Sequence, residues 1–403
     1  MGDGTAEHAG PNAVHLRLAD SPPSRKTTAA TPSPAPSLPG DALPPKPRAN
    51  RQPEAREAPS VSSAYTTKDG QLLLGRIEDA LDSPFLAEQK GKVNLIFTSP
   101  PFPLVRKKKY GNETGEEYIE WLKSLAPRLT ELLAPNGSIV LEVGNAWEPG
   151  APVMSTLPLE ALLAFKRAAS LHLCQHVICH NPARLPSPAA WVNVKRIRLK
   201  DSYTHVWWMS HVKEPKADNR NVLTPYGVDM LKLLKSQKYN AGRRPSGHVI
   251  SEAGFLTNHG GAISANVVEL SGEDSKIPSS LLRFAGTGWD ATYREYCADE
   301  GLEPHPARMQ AELAGFFIEF LTSPGDLILD PFAGSNTTGA VAQELGRKWL
   351  GVEAAEDYAK GSKARFAELV PQKATKAQAK RAAAVAPPGQ VGTLFDEEAT
   401  NGA

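Results

Sequence analysis

DLILDPFAGSNTTG, residues 326–339, is the stretch on which the fold turns. Leu327 to Leu329 has the apolarity and length of a buried strand, Gly334 marks a tight turn, and a helix opens near Thr338 and continues to about Leu345. Strand, turn and helix start in this order are how open α/β sheets bind ligands beyond the carboxyl ends of their strands. Working outward, the next strand, Trp349 to Val352, ends at Glu353. A helix is expected from about Pro306 to Leu321. Farther back, strand-like runs at Gln71–Leu74, Val93–Phe97, Ile139–Val143, Leu171–Ile178 and Tyr203–His211 alternate with helices, one opened by a Thr114/Glu117 capping box and running to about Leu133, another from about Leu157 to Ala169. Asn136 and Gly137 predict a turn before the strand at Ile139. The alternation predicts an α/β fold with a doubly wound, mostly parallel sheet. From about Val212 to Phe284 the pattern dissolves into polar sequence with one helix near Val228–Lys235, as expected of a loop-rich inserted module.

Glu353 stands where a carboxylate accepts hydrogen bonds from both ribose hydroxyls of a nucleoside. Gly334 and Gly339 do not make a three-glycine dinucleotide cradle, and no Gly-Lys-Ser/Thr follows. The loop therefore suits S-adenosylmethionine, a nucleoside without phosphates, better than NAD or ATP. Taken alone, an ordinary strand-to-helix turn would look the same.

Val93–Phe97 leads into Thr98-Ser-Pro-Pro-Phe102. An exocyclic base amine is a poor nucleophile because its lone pair is delocalised into the ring, so an enzyme must hold both N–H bonds with acceptors. Ser99 offers a hydroxyl oxygen and Pro100 a carbonyl; Pro100 and Pro101 fix φ and remove competing donors. Phe102 offers a ring on which an extruded base stacks. Methylation at a ring carbon needs a nucleophilic Cys, usually directly after Pro, but Cys174, Cys179 and Cys297 follow Leu, Ile and Tyr. Ser21 to Pro23 is a second Ser-Pro-Pro, so placement after a buried strand, not the tripeptide, singles out Ser99.

Composition frames these motifs. Of 403 residues, those before about Ser63 are dominated by Pro, Ala and Ser, and those from about Val370 by Ala, Lys and Gln, then Pro and Gly; both are expected to be disordered. No apolar signal core is visible near Met1, and the longest apolar run, Phe316–Leu321, is interrupted by Glu319, so a cytoplasmic protein is expected. Three cysteines make no disulfide framework, and a net charge of +1 neither requires nor excludes nucleic acid.

The motifs together resemble the permuted, or beta, group of amino-methyltransferases, in which the catalytic motif precedes the cofactor motif. The likeness runs from about Gln71 to Phe366 and includes Leu185–Val192 (LPSPAAWV), Pro215–Leu223 (PKADNRNVL), Arg244–His248 (RPSGH), Pro304–Arg308 (PHPAR) and Leu345–Trp349 (LGRKW). It implies a Rossmann-like permuted methyltransferase fold divided into an arm (1–63), a catalytic half (64–211), a target-recognition module (212–285), a cofactor half (286–369) and a tail (370–403). It further implies that Ser99, Pro100 and Phe102 hold a cytosine, that Asp330, Phe332, Gly334 and Glu353 bind S-adenosylmethionine with Asn336 and Thr337 at the helix start, and that His305 and Pro306 line the methionine pocket. Where many relatives have Asp after the first strand, this chain has Arg76, which nominates Glu78 as substitute; Gln310 replaces a Pro and leaves the following helix start open. The implied activity is cytosine-N4 methylation of duplex DNA, the hexamer CAGCTG being the expected site, beside a restriction endonuclease that acts there without stable contact. Ser before Pro-Pro, and Phe after, favour cytosine over the alternative, adenine-N6; a catalytically silent DNA-binding regulator would require a damaged motif.

For DNA, Arg106 and Lys107 lie in the basic loop after Phe102, and Arg196, Arg198 and Lys200 alternate along an expected extended segment. Arg243, Arg244 and His248 are candidates for reading guanine edges, and His180 with Asn181 for contact with the flipped base. Cys174, His176, Cys179 and His180 lack the spacing of a zinc module, and on a regular strand Cys179 faces away from the other three, so no metal is expected. Gln390–Phe395 (QVGTLF) resembles the peptides by which bacterial proteins bind the replication sliding clamp.

Overall fold

The computed structural model describes residues 61–101, 115–148, 150–238, 242–243, 245–247, 249–250, 256–270, 278–284 and 288–370. The clamp-like peptide and nearly all of both expected arms lie outside the described residues. Nine strands form one sheet: β1 (Ser62–Thr66), β2 (Gly70–Leu74), β3 (Val93–Thr98), β4 (Leu133–Gly144), β5 (His172–His180), β6 (Tyr203–Ser210), β7 (Val267–Glu269), β8 (Leu327–Asp330) and β9 (Lys348–Glu353). Their spatial order is β1-β2-β9-β8-β3-β4-β6-β5-β7. The pairs from β2 through β9, β8 and β3 to β4 are all parallel, as is β5 with β7; β1–β2, β4–β6 and β6–β5 are antiparallel.

The helices used below are α1 (Ile77–Asp82), α2 (Glu116–Thr130), α3 (Leu157–Ala168), α4 (Val228–Ser236), α5 (Gly288–Asp299), α6 (Ala311–Leu321), α7 (Thr337–Glu344) and α8 (Glu356–Ser362). They cover both faces of the sheet. On one face Leu95, Phe97 and Ile328 join Phe317 of α6 and Val341 of α7; on the other Ile96, Leu141 and Leu329 join Leu122 of α2 and Phe165 of α3. Burial on both sides is why β3 and β8 read as continuous apolar runs without alternation. Trp207 and Trp208 point to opposite faces, and both are buried.

Several boundaries differ from expectation for local reasons. β1 begins inside the last residues assigned to the arm; only Tyr65 of SSAYT is buried, so its pattern is weak. Asn136 and Gly137 do not end a segment but sit in an irregularity within β4, where Val93 pairs with Leu133 and Leu95 with Ser138. α2 starts after Gly115, with no side-chain cap, so the capping box is not its N-terminus. α6 starts at Ala311, five residues later than expected, with Gln310 extended at its N-cap. The inserted segment contributes β7 to the main sheet beyond its loops, and α5 was not legible as a helix. A register shift between Leu173 and Gln175 turns Cys174 toward the core that holds Cys179, so these two cysteines do not face apart.

The turn from β8 to α7 has little tolerance. Asn336, at φ 51°, caps α7 by accepting from the Gly339 N–H at 3.2 Å. A Cβ on Gly339 would stand 2.4 Å from Asn336 Oδ1 and 2.8 Å from the Trp349 ring. Gly339→Ala is expected to lower the unfolding free energy by about 1–3 kcal/mol, seen as a lower urea midpoint at unchanged slope.

Candidate active site

A cleft of about 550 Å³ opens at the carboxyl ends of the parallel strands. Four chain segments form it: Gly75–Glu78 after β2, Ser99–Pro101 after β3, Asp330–Ser335 after β8, and Glu353–Ala355 at the end of β9. Tyr118 and Trp121 of α2 add a wall, with ring centroids 5.6 Å apart and Phe332 again 5.6 Å from Trp121. Trp121 Nε1 donates to Glu78 at 2.7 Å, and Arg76 pairs with the same carboxylate at 2.9 Å. Glu78 thus lies at the cleft where the resemblance nominated it. His305 closes another side: its ring packs edge-on to Tyr358 at 4.6 Å, and a Cβ on Gly334 would meet it at 3.2 Å. Gly334, at φ 52°, gives the left-handed turn and the close approach together.

Two carboxylates organise the floor. Asp330 accepts from Thr98 Oγ1 at 2.6 Å, Thr338 Oγ1 at 2.7 Å and the Phe332 N–H at 3.1 Å. Burial nevertheless pushes its carboxyl above the ordinary Asp value. Glu353 accepts from the Gly334 N–H at 2.7 Å through one oxygen and from the Ala355 N–H at 2.8 Å through the other. Burial raises it too, and the nearby Asp330 charge adds to the rise. Glu353 and the aromatic side chains Tyr118, Trp121 and Phe332 line the same cleft, an arrangement with room and polarity for a nucleoside.

A smaller hollow of about 150 Å³ adjoins the cleft, and Ser99, Ala307 and Met309 line both. Its inner surface carries Glu142 of β4, Thr204 of β6, and Asn181 with Arg184 just past β5. Glu142 accepts from Thr204 Oγ1 at 2.8 Å and shares the lining of the hollow with Ser99. Burial pushes the Glu142 carboxyl above its usual value, with the Thr204 and Ser99 hydroxyls opposing the rise. The sequence reading passed over Glu142, although a lone acid within the apolar run IVLEVG was a usable signal.

The structure gathers Ser99, Pro100, Pro101, His305, Asp330, Phe332, Gly334 and Glu353 around one cleft. Other nominated residues lie elsewhere. Pro306 is exposed and does not line the cleft, whereas Thr337 is buried and Asn336 turns inward, its amide donating to Tyr65 Oη at 3.0 Å. His180 faces Glu269 at 3.7 Å; its neighbour Asn181 reaches the hollow instead, because successive strand residues point to opposite faces. The basic segment is not extended: Arg196 has φ 53°, Arg198 lies 3.6 Å over the Trp147 ring, and Lys200 donates to the Pro182 carbonyl at 2.8 Å. Arg243 belongs to a two-residue strand that pairs with Val249–Ile250. Phe102, Arg106, Lys107, Arg244 and His248 lie outside the described residues. Among the described residues no three His, Cys, Asp or Glu side chains could share a metal ion, and no helix is long and apolar enough to cross a membrane.

Behind His305, an ionic clamp joins α5 to the loop after β8. Arg365, whose side chain is 1% exposed, donates to Asp290 at 2.8 Å and to the Ser335 carbonyl at 3.3 Å. Arg308 pairs with the other Asp290 oxygen at 2.9 Å and donates to the His305 carbonyl at 2.8 Å. Burial alone would raise the Asp290 carboxyl, but Arg365 and then Arg308 outweigh it and hold it below its ordinary value. The stabilisation is therefore present at neutral pH and is lost as pH falls through that depressed pKa. Asp290→Asn is expected to reduce stability by about 3 kcal/mol, the low end for stranding a buried charge, measured by urea unfolding at pH 7.

Comparison with known proteins agrees with this geometry. A family model for N6 and N4 enzymes, described as DNA methylase, matches residues 93–364. The type II methyltransferase M.PvuII of Proteus hauseri is 38% identical over 305 residues, which cover 75% of this chain and 85% of that protein. The DNA adenine methyltransferase YhdJ of Escherichia coli (strain K12) is 42% identical over 83 residues, 21% of this chain and 28% of its own length. A solved structure of PvuII DNA methyltransferase, described as cytosine-N4-specific, aligns with a TM-score of 0.55 at 33% identity and covers 75% of this chain and 88% of that one. With more than half of its length matched by the family model, the chain belongs to the N6/N4 DNA methylase family.

Proposed function

We propose that this chain is a site-specific DNA methyltransferase that transfers a methyl group from S-adenosylmethionine to N4 of cytosine in duplex DNA. The observation that carries the reading is the meeting of cleft and hollow at Ser99, with the Glu142 carboxylate behind the hydroxyl. Likeness to M.PvuII, whose solved form is described as cytosine-N4-specific, supports the choice of atom. The expected setting is a restriction–modification pair in the cytoplasm, with CAGCTG as the site.

The cleft fits S-adenosylmethionine. Tyr118, Trp121 and Phe332 offer an aromatic wall for the purine, Glu353 offers acceptors for the ribose hydroxyls, and the mutual repulsion of Glu353 and Asp330 is relieved by a cationic group. Bound there, the cosubstrate supplies an electrophilic methyl group on sulfur. An extruded cytosine in the hollow presents its amine to the Ser99 oxygen and the Pro100 carbonyl, which accept its two N–H bonds and return electron density to N4. As the N4–carbon bond forms, the carbon–sulfur bond breaks. The N4 proton passes to Ser99 while the Ser99 hydroxyl proton passes to Glu142, so the products are N4-methylcytosine, S-adenosylhomocysteine and one proton. A carboxylate raised by burial is a stronger proton acceptor than an exposed one.

Ser99→Ala is expected to lower kcat about 100-fold or more in a tritium-transfer assay with unchanged cofactor affinity; a normal rate would remove the hydroxyl from the reaction. Wild-type kcat should rise with pH as Glu142 ionises, above the ordinary carboxylate range, and Glu142→Gln should lose both that limb and most of the rate. Glu353→Ala should weaken S-adenosylmethionine binding about 10- to 100-fold by titration calorimetry. Single-molecule sequencing of plasmid DNA from expressing cells tests the whole reading. N4-methylcytosine at one sequence supports it, N6-methyladenine replaces it with the adenine reading, and unmodified DNA overturns both.

A further inference from the structure

We propose that the loop between β5 and β6, residues 181–202, is a DNA-contacting rim whose apolar tip enters the base stack beside the extruded nucleotide. The proposal rests on the reading of the chain as a methyltransferase of duplex DNA. The loop is pinned at its base, where the Asn181 N–H donates to the Ser202 carbonyl at 2.7 Å. β5 runs in the same direction as β3 and β4, so the loop leaves the sheet at the end where Ser99 lies. Asn181 and Arg184 line the hollow itself.

The loop is braced from within. Arg198 stacks over Trp147 and donates to the Pro152 carbonyl at 2.9 Å; Trp147 meets Trp191 edge-on at 6.3 Å; Lys200 ties back to the carbonyls of Pro182 and Arg184. That bracing leaves a run of side chains facing water: Val194 at 78% exposure, Ile197 at 59% and Leu199 at 89%, with Lys195 and Arg196 exposed between them. Among the described residues neither Lys195 nor Arg196 forms an ion pair. From Asn181 to Lys200 inclusive there are five Lys or Arg residues and no Asp or Glu, and Asp201, at the base of the loop, accepts from the Asn145 amide at 3.3 Å. A braced loop that sets bulky apolar side chains among cations, and whose base lines a small hollow, matches a duplex at the point where a nucleotide leaves the stack. The cations meet phosphates, and the apolar tip fills the gap between neighbouring bases.

The test uses the full chain and duplex oligonucleotides carrying the site found in plasmid DNA. A Val194→Ser/Ile197→Ser variant should lose about tenfold or more in kcat/KM when the target cytosine is paired, yet come within about threefold of wild type when it faces an abasic position, where extrusion breaks no pair. A Lys195→Gln/Arg196→Gln variant should bind duplex with a log Kd against log salt slope smaller by about one to two, with unchanged S-adenosylmethionine affinity and melting temperature. Wild-type rates in the first variant on paired duplex would overturn the wedge, as would equal losses on both duplexes. Loss of binding to anionic phospholipid vesicles with unaltered transfer to paired DNA would assign the loop to a membrane instead. Absence of transfer by the wild type itself would overturn the underlying activity, and the rim with it.

Discussion

The carboxylate of Asp330 receives a hydroxyl from Thr98 at the end of β3, another from Thr338 in the first turn of α7, and the backbone N–H of Phe332 between them. Thr98 and Asp330 are 232 residues apart, so this one group ties the loop after β3 to the loop after β8. A satisfied polar network at low dielectric is rigid, whereas the same carboxylate with one partner missing would be a buried, poorly solvated charge. The position of Ser99 relative to Gly334 and Glu353 follows from it: Ser99 comes directly after Thr98, Gly334 two residues after Phe332, and Glu353 ends the strand that pairs with β8. Its burial is the cost of that junction, visible as a carboxyl held above its ordinary value.

The centre of the sheet was legible because strands buried on both faces leave a one-dimensional trace: β3, β8 and β9 are apolar runs bounded by turn residues. The edges were not. β1 buries little beyond Tyr65, and β7 is three residues long with only Val268 buried, so neither carries a period that a window can detect. The site divided the same way. Residues at strand ends or on the loops just after them, Ser99, Asp330, Gly334 and Glu353, line the cleft together. Glu142 reaches the hollow through the pairing of β4 with β6, marked in the sequence only by its charge within an apolar run, and of the nominated pair His180 and Asn181 the alternation along β5 brings Asn181 to the hollow. Asn336 and Thr337 had the right neighbours but the wrong direction, because Asn336 caps α7 and donates to Tyr65 while Thr337 is buried against the Ser335 hydroxyl.

Floor and rim obey different physics. The floor is built from strand ends and buried hydrogen bonds, and its residues are fixed by the sheet. The rim is held by charged and aromatic side chains, the Asp290 clamp with its buried Arg365 beside His305 and the Arg198–Trp147 stack, which brace loops rather than strands. Changes to a rim alter what is admitted while the floor keeps its geometry, which is why one scaffold suits many recognition surfaces.

Tyr65 of β1 hydrogen-bonds Ser362 at 2.7 Å and packs against Phe366 at 5.8 Å, and the Lys68 N–H reaches Glu368 at 3.1 Å. The first and last segments of the described region are therefore neighbours at the sheet edge. A short peptide linking them would close the fold into a ring, and a cut at a surface loop between the two halves would then place the cofactor segment first and the catalytic segment second around an unaltered cleft. The order in which the two motifs are translated is thus separable from the chemistry they perform together.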